Sequence, residues 1–204
     1  MAAGRFRSDE PEFDQLPDLV HQGDWVLDIG ANVGQYTLRL SELVGEEGRV
    51  IAFEPISETA EILAAMARRA RYRNITLLNV AVSERAGLLR LRVPTTADGL
   101  PNYFQARVCT GGDRAVLCVA LDELPFPHRV GLIKIDVEKH EVSVLRGMRN
   151  LIEHDHPILI IEAHEGIYPE FLASHGYEMR PKAPGSSNLV FVPLTGVARL
   201  TPRR

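Results

Sequence analysis

Glycine and acidic residues occur together in the segment VLDIGANVGQY, where a short apolar run meets a helix-like pattern. Gly30 and Gly34 permit positive φ angles and leave room for a ligand beside the backbone. Their spacing lacks the third glycine of a dinucleotide-binding loop and the Lys-Ser/Thr pair of a phosphate loop. Asp28 stands just before Gly30, where a carboxylate would repel a phosphate. The segment therefore predicts a ligand-binding turn for a molecule without phosphate groups.

A second acid, Glu54, ends the apolar run RVIAFE about 20 residues after Gly34, the spacing at which an acid can bind both ribose hydroxyls. Taken alone, Glu54 also suits a solvated strand end. S-adenosylmethionine satisfies both acids because it has a ribose, an ammonium and a sulfonium but no phosphate. NAD would instead place its pyrophosphate against Asp28. The residues therefore predict S-adenosylmethionine as the cofactor.

Further polar side chains follow two later apolar runs: Asp136 follows VGLIKI, and Glu162 and His164 close PILIIEAH. Methyl transfer to a hydroxyl requires an aligned acceptor and a group that removes its proton. Asp136 is the first predicted base or acceptor anchor, and Glu162 and His164 are the other catalytic residues predicted. Weaker candidates follow Asp136 in the chain: Glu138, His140 and Glu141. As alternatives, Asp136 caps the following helix, or Asp136 and Glu162 bind Mg²⁺ through their oxygens. Lys134 and Asp136 share a strand face, which predicts an ion pair.

The elements that position these residues alternate between strand-like and helix-like patterns. Continuous apolar strands followed by helices are typical of a mostly parallel sheet covered on both faces, with ligands beyond the carboxyl ends of its strands. The alternation breaks after the third strand, where GLLRLRV and AVLCVALDEL predict an inserted antiparallel β-hairpin. One continuous helix is expected over EVSVLRGMRNLIEH, and GYEMR and NLVFVPL are expected to close the sheet.

Length and composition predict one domain, residues 1–204, of an ordinary globular protein with 45% hydrophobic and 25% charged residues. The net charge of −4 argues against a general nucleic-acid-binding protein. No run approaches the roughly 20 apolar residues that span a bilayer, and the first residues have no signal-peptide core. Cys109 and Cys118 have no ligand-type neighbours, so no metal is predicted. A cytoplasmic enzyme is the expectation.

Five segments in order resemble the FkbM-type S-adenosylmethionine-dependent methyltransferases: VLDIGANVGQYTL, VIAFEP, NVAVSERAG, LIKIDVEKHEVSVLRGM and ILIIEAH. The first marks Rossmann-like class I methyltransferases in general, and the fourth is the more specific signature. The resemblance implies an α/β fold with a seven-stranded, mostly parallel sheet whose last strand is antiparallel.

The same resemblance implies roles for individual residues. The methionine end of the cofactor would lie against the turn, Glu54 would bind the ribose, and the adenine would lie between the segments after the second and third strands. Glu10 or Glu12 would cover the cofactor. The implied cofactor-binding residues are Asp28, Gly30, Asn32, Gly34, Glu54, Pro55, Asn79 and Ala81.

Two departures from the family pattern concern the acceptor. Fewer residues than usual precede the first strand, so part of the acceptor cover is expected to be absent or to come from another subunit. Lys139 and His140 stand where relatives commonly have small residues such as glycine.

The sequence therefore predicts an O-methyltransferase for a hydroxyl of a small molecule or glycolipid, such as a sugar or polyketide, with possible homo-oligomers. A non-catalytic cofactor-binding subunit and an aminopropyltransferase-like enzyme remain as alternatives. A short-chain dehydrogenase is disfavoured because no tyrosine has a lysine four residues later.

Overall fold

The computed structural model describes residue 8, residues 10–163 and residues 168–194. Within these residues the strands are β1 (Trp25–Ile29), β2 (Arg49–Phe53), β3 (Ile75–Leu78), β4 (Ala81–Val82), β5 (Gly87–Arg92), β6 (Arg107–Val108), β7 (Arg114–Val119), β8 (Val130–Ile135), β9 (Ile158–Glu162), β10 (Tyr177–Met179) and β11 (Asn188–Pro193). The helices are α1 (Pro11–Leu19), α2 (Gln35–Val44), α3 (Ser57–Ala67), α4 (Glu141–Arg146), α5 (Arg149–Asp155) and α6 (Tyr168–Ser174). In the described part of the chain, no helix is both long enough and apolar enough to cross a membrane.

The central sheet has seven strands in the order β10-β11-β9-β8-β1-β2-β3. The strands from β9 to β3 pair in parallel, whereas β11 runs antiparallel to both β9 and β10. The predicted α/β fold of class I methyltransferases, with an antiparallel last strand, is therefore confirmed. The order changes direction between β1 and β8, and open parallel sheets bind their ligands at such a point.

Both faces of the sheet are covered, which explains why its strands are apolar at successive positions. Val26 packs on one face with residues of α1 and α2, including Leu16 and Leu40. Its neighbour Leu27 packs on the other face with residues of α4 and α5, including Leu145. Successive strand side chains point to opposite faces, so each face requires its own apolar set.

The insertion after β3 forms a second sheet in the order β4-β7-β5-β6. The predicted hairpin corresponds to the antiparallel β5–β7 pair, in which Leu88 lies opposite Leu117. The structure adds β4 and β6, which are too short to give a clear alternating pattern in the sequence. This sheet lies over the carboxyl edge of the central sheet, because its residues line the cavity described below.

The prediction of one helix over EVSVLRGMRNLIEH was wrong, because α4 ends at Arg146 and α5 begins at Arg149. Gly147 lies between them, where a Cβ atom would stand 2.0 Å from the carbonyl oxygen of Ser83. This close approach to the backbone after β4 depends on a distant segment, so helical periodicity alone does not reveal it.

Candidate active site

The turn between β1 and α2 holds its backbone in an unusual conformation. Gly30, Asn32 and Gly34 have φ angles of 79°, 50° and 93°. A Cβ atom at Gly30 would lie 1.8 Å from the carbonyl oxygen of Asp136, so the turn packs directly against the end of β8. A Cβ atom at Gly34 would lie 2.2 Å from a methyl group of Leu63 on α3. Gly30 therefore shapes the site, whereas Gly34 permits α2 to pack against α3.

Glu54 connects this turn to the segment after β2. Its carboxylate accepts hydrogen bonds from the backbone N–H groups of Asn32 and Ile56, both at 2.8 Å, and from the Thr59 hydroxyl at 2.9 Å. The residue is only 5% exposed, and burial raises the pKa of its carboxyl group. Glu54 is thus a fixed acceptor inside the site and not a solvated strand end.

A cavity of about 260 Å³ lies at the carboxyl ends of the central strands and beneath the inserted sheet. It brings together many of the residues that the sequence predicts for the site. These are Gly30, Asn32, Glu54, Pro55, Ala81, Asp136 and Glu162. We call it the main cavity.

A second cavity of about 130 Å³ adjoins the main cavity and shares Gly30, Asn32, Phe104 and Asp136 with it. We call it the side cavity. Its lining also includes Glu10, Asp28, Tyr36 and Lys134. The side cavity therefore brings carboxylates and an amine together next to the main cavity.

The carboxylates of the side cavity are held by specific partners. Asp28 accepts a hydrogen bond from the Thr37 hydroxyl at 2.5 Å, and burial raises its pKa to about 6. The Glu10 carboxylate accepts bonds from the hydroxyl of Tyr36 and, at 3.0 Å, from the side-chain amide of Asn188. Glu10 therefore lies at the cavity, where the resemblance places an acidic cover.

Lys134 and Asp136 form the ion pair that strand alternation predicts. The Lys134 ammonium lies 3.2 Å from the Asp136 carboxylate and 5.1 Å from the centre of the Tyr36 ring. Lys134 is 1% exposed, so its charge remains beneath the cavity floor and neutralises Asp136 in part.

Glu162 lies beside Asp136 because Ile135 and Ile161, the residues that precede them, are register partners of β8 and β9. Burial, followed by the charge of Asp136 and a hydrogen bond between the two side chains, raises the pKa of Glu162 to about 8. At neutral pH Glu162 therefore retains its proton. The described residues contain no cluster of three or more side chains arranged to hold a metal ion.

His140, one of the weaker base candidates from the sequence, joins the site. Its Nε2 atom lies 2.9 Å from the hydroxyl oxygen of Ser83, and burial lowers the pKa of the imidazole. Glu138 and Lys139 have φ angles of 49° and 73°, and this left-handed turn precedes His140 at the cavity wall. Ser83 is distant in sequence, so its contact with His140 could not be predicted from a local pattern. The only signal in the sequence was the difference from the family pattern at Lys139 and His140.

The inserted sheet supplies aromatic residues that the sequence analysis did not identify. Tyr103 and Phe104 line the main cavity, and Phe104 also lines the side cavity while remaining 66% exposed. Arg114 binds both oxygens of the Glu58 carboxylate at 2.7 Å, and Tyr103 approaches the same carboxylate at 3.3 Å. The insertion is thus tethered to α3 while Phe104 lies over both cavities.

Two predicted residues lie outside both cavities, and a third lies outside the described residues. Gly34 has the packing role given above. Asn79 donates to the backbone oxygen of Glu54 at 2.7 Å and accepts from the Ser57 hydroxyl at 3.1 Å. It therefore supports the segment that holds Glu54. His164 is the predicted residue outside the described part.

The chain resembles known proteins in both sequence and structure. The sequence model of the methyltransferase FkbM domain matches residues 28–181. A hexuronic acid methyltransferase of Haloferax volcanii is 28% identical over 159 residues, which are 76% of this chain and 62% of the relative. A protein-L-isoaspartate O-methyltransferase of Methanothrix thermoacetophila is 31% identical over 137 residues, which are 65% of this chain and 61% of the relative. The chain thus spans about three fifths of the length of these relatives.

Solved structures share the fold. The FkbM methyltransferase of Methylobacillus flagellatus has a TM-score of 0.60 at 21% identity, over 83% of this chain and 43% of that protein. The fibrillarin of Aeropyrum pernix, solved with natively bound S-adenosyl-L-methionine, has a TM-score of 0.56 at 16% identity, over 92% of this chain and 75% of that protein. With the family match over residues 28–181, the chain belongs to the FkbM methyltransferase family, and its class I fold implies S-adenosylmethionine as the cofactor.

Proposed function

We propose that this chain transfers the methyl group of S-adenosylmethionine to a hydroxyl group of a small molecule or glycolipid, and that a sugar is the favoured acceptor. The observation that carries the proposal is the pair of joined cavities. A fixed carboxylate, Glu54, lies on the main cavity, and a mixed acidic and basic lining surrounds the side cavity.

The residues of the main cavity fit the nucleoside half of the cofactor. A carboxylate offers about four lone-pair positions, and the three hydrogen bonds to Glu54 leave acceptor capacity for a ribose. Pro55, Ile56 and Val80 give the adjoining wall an apolar surface that suits an adenine ring. The same wall offers no lysine or arginine for a phosphate among its described residues.

The residues of the side cavity fit the amino-acid half. Glu10 and Asp28 supply carboxylates for an ammonium group, and the buried charge of Lys134 lies beneath the same cavity. The shared residues Gly30 and Asp136 mark the junction, where the sulfonium would lie between the two halves. A pyrophosphate would meet the acidic groups, which disfavours NAD and ATP.

When bound, the cofactor supplies an electrophilic methyl group. The protein must align the acceptor oxygen and accept its proton. Asp136 and His140 are our candidate proton acceptors, because both line the main cavity and the raised pKa of Glu162 favours its protonated form. Asp136 is held by Lys134, and His140 by Ser83, so each has a fixed position from which to accept a proton.

The relatives support a sugar acceptor without identifying it. The name of the Haloferax protein gives a hexuronic acid as its substrate, whereas the Methanothrix protein is named for isoaspartate in proteins. We favour a sugar because the hexuronic acid relative matches a larger share of this chain. A non-catalytic cofactor-binding subunit and an aminopropyltransferase-like activity are the competing proposals.

Two measurements test the proposal. Calorimetry should show micromolar binding of S-adenosylmethionine and S-adenosylhomocysteine, and no binding of NAD or ATP. A panel of sugars should then yield S-adenosylhomocysteine in a turnover assay. Binding without turnover on any acceptor would favour the non-catalytic subunit, and turnover of decarboxylated S-adenosylmethionine with amines would favour the aminopropyltransferase.

A further inference from the structure

The acceptor end of the main cavity lies opposite the nucleoside wall. Glu54, Pro55 and Ile56 occupy one side, and the ends of β8 and β9 form the other. The polar residues on this second side are Asp136, Glu138, His140 and Glu162. We call these four residues the acceptor wall.

The acceptor wall is acidic. Asp136, Glu138 and Glu162 contribute carboxyl groups, and burial lowers the pKa of the His140 imidazole so that it is neutral. Among the described residues that line the main cavity there is no lysine or arginine. The buried Lys134 beneath the wall already pairs with Asp136.

Further negative charge is unfavourable at this wall, because three carboxyl groups already line it. Asp136 and Glu138 both favour the neutral form of Glu162, in addition to the effect of burial. A ligand carboxylate would face the same charges and would lose its hydration as well. A hydroxyl-rich ligand avoids both costs, since its hydroxyls can donate hydrogen bonds to the carboxylates.

Phe104 complements these polar groups. It lines the main cavity with a ring that is 66% exposed, so an apolar surface is available beside the carboxyl groups. A sugar ring presents C–H groups on its faces and hydroxyls at its edge, which matches an aromatic face next to acidic acceptors. An ammonium group would also be attracted to the ring and to the wall.

We propose that the acceptor wall selects a neutral sugar or an amino sugar and excludes acceptors that carry a carboxylate, such as uronic acids. This inference rests on the proposed methyltransferase function and narrows its substrate class.

In the transfer to such a sugar, the hydroxyl oxygen forms a bond to the methyl carbon. The carbon–sulfur bond breaks with its electron pair on sulfur, and the hydroxyl proton passes to a basic group of the wall. If the methyl group went to a carboxylate oxygen instead, that oxygen would carry no proton. A base such as His140 would then have no role.

Saturation-transfer NMR tests the inference with three probes: glucose, glucosamine and glucuronic acid, each added to protein saturated with S-adenosylhomocysteine. Glucose and glucosamine should show saturation transfer, and glucuronic acid should bind at least about tenfold more weakly. Glu138→Lys should reduce that difference and Glu138→Gln should reduce it less, because each removes negative charge from the wall. Glu47→Lys makes the same charge change at an exposed position away from the cavity, and it should leave the selectivity unchanged.

Stronger binding of glucuronic acid than of glucose would overturn the inference, as would the absence of saturation transfer from all three sugars. An equal response of Glu47→Lys and Glu138→Lys would overturn the role of the wall, because selectivity would then follow net charge alone. Calorimetry with S-adenosylmethionine separates these failures from failure of the proposed function. A protein that binds the cofactor but prefers the uronic acid contradicts only the inference.

Discussion

The carboxylate of Glu54 accepts a hydrogen bond of 2.8 Å from the backbone N–H of Asn32, 22 residues earlier in the chain. The bond joins the turn after β1 to the segment after β2. It holds Asn32 in its left-handed conformation and fixes Glu54 at the main cavity. A predicted ligand-binding acid is therefore also part of the scaffold of the turn.

Loss of this carboxylate should weaken both the binding of the cofactor and the fold. Glu54→Ala removes the charge-assisted bond that the remaining lone pair of the carboxylate can accept from the ribose, and should cost about 1.5–3 kcal/mol of binding energy, or roughly ten- to a hundred-fold in affinity for S-adenosylmethionine. Calorimetry measures the affinity, and thermal unfolding reports the loss of the Asn32 bond. Asn79→Ala is the control, because Asn79 touches the backbone of Glu54 but not the cavity. Unchanged cofactor affinity in Glu54→Ala would remove Glu54 from the binding site.

Asp136 and His140 can be separated as proton acceptors. Asp136→Asn and His140→Gln both keep side-chain size and hydrogen-bonding capacity, and loss of the true base should lower turnover by about 10²- to 10⁴-fold. Cofactor affinity should persist in both variants. If His140 is the base, the acid limb of the wild-type rate profile lies below the ordinary histidine pKa of 6.5, because burial lowers the pKa of this imidazole.

Other outcomes of this comparison assign Asp136 differently. Joint loss of turnover and cofactor binding in Asp136→Asn would place the residue in the cofactor pocket. Loss of wild-type activity on addition of a chelator, together with equal defects in Asp136→Asn and Glu162→Gln, would instead indicate a metal held by the two carboxyl groups.

The tether between the insertion and α3 should control how fast the cofactor leaves. Glu58→Gln removes the charge that binds Arg114 and Tyr103, so Phe104 should cover the cavities less firmly. The dissociation rate of S-adenosylhomocysteine, measured by stopped-flow fluorescence, should rise several-fold. The melting temperature should change little, because partly exposed ion pairs contribute about 0–1 kcal/mol. Glu153→Gln removes a comparable exposed pair with Arg149, and an equal effect there would contradict the tether.

Ionisation of Glu162 should lower stability as the pH rises from about 4.5 to about 8. The pKa of Glu162 is raised from its ordinary value of 4.5 to about 8, chiefly by burial. Between these values the unfolded chain has lost the proton that the folded chain retains, so ionisation favours unfolding. Asp28, with its pKa raised to about 6, adds to the effect at the lower end of the range. Melting temperatures at pH 5, 6.5 and 8 should show the decline, and Glu162→Gln should flatten it. A decline of equal slope in the variant would contradict the assignment to Glu162.

Many features of the fold could be predicted because they depend on neighbours in sequence. Apolar runs alternating with helical patterns predict the parallel sheet, and Gly45 marks the end of α2. The turn with Asp28 and Gly30, the acid Glu54 and the ion pair of Lys134 with Asp136 also follow from spacing and strand alternation. Residue type and position within an element determine these features, so they can be predicted from the sequence alone.

Features that join distant segments depend on the tertiary structure. The contact of Ser83 with His140 spans 57 residues, and the bond between Arg114 and Glu58 spans 56. The break at Gly147 depends on the backbone of Ser83. The raised pKa of Glu162 depends on burial and on Asp136 from a neighbouring strand. Such contacts arise when loops close and strands assemble, and their energies depend on distances between groups that no local pattern encodes.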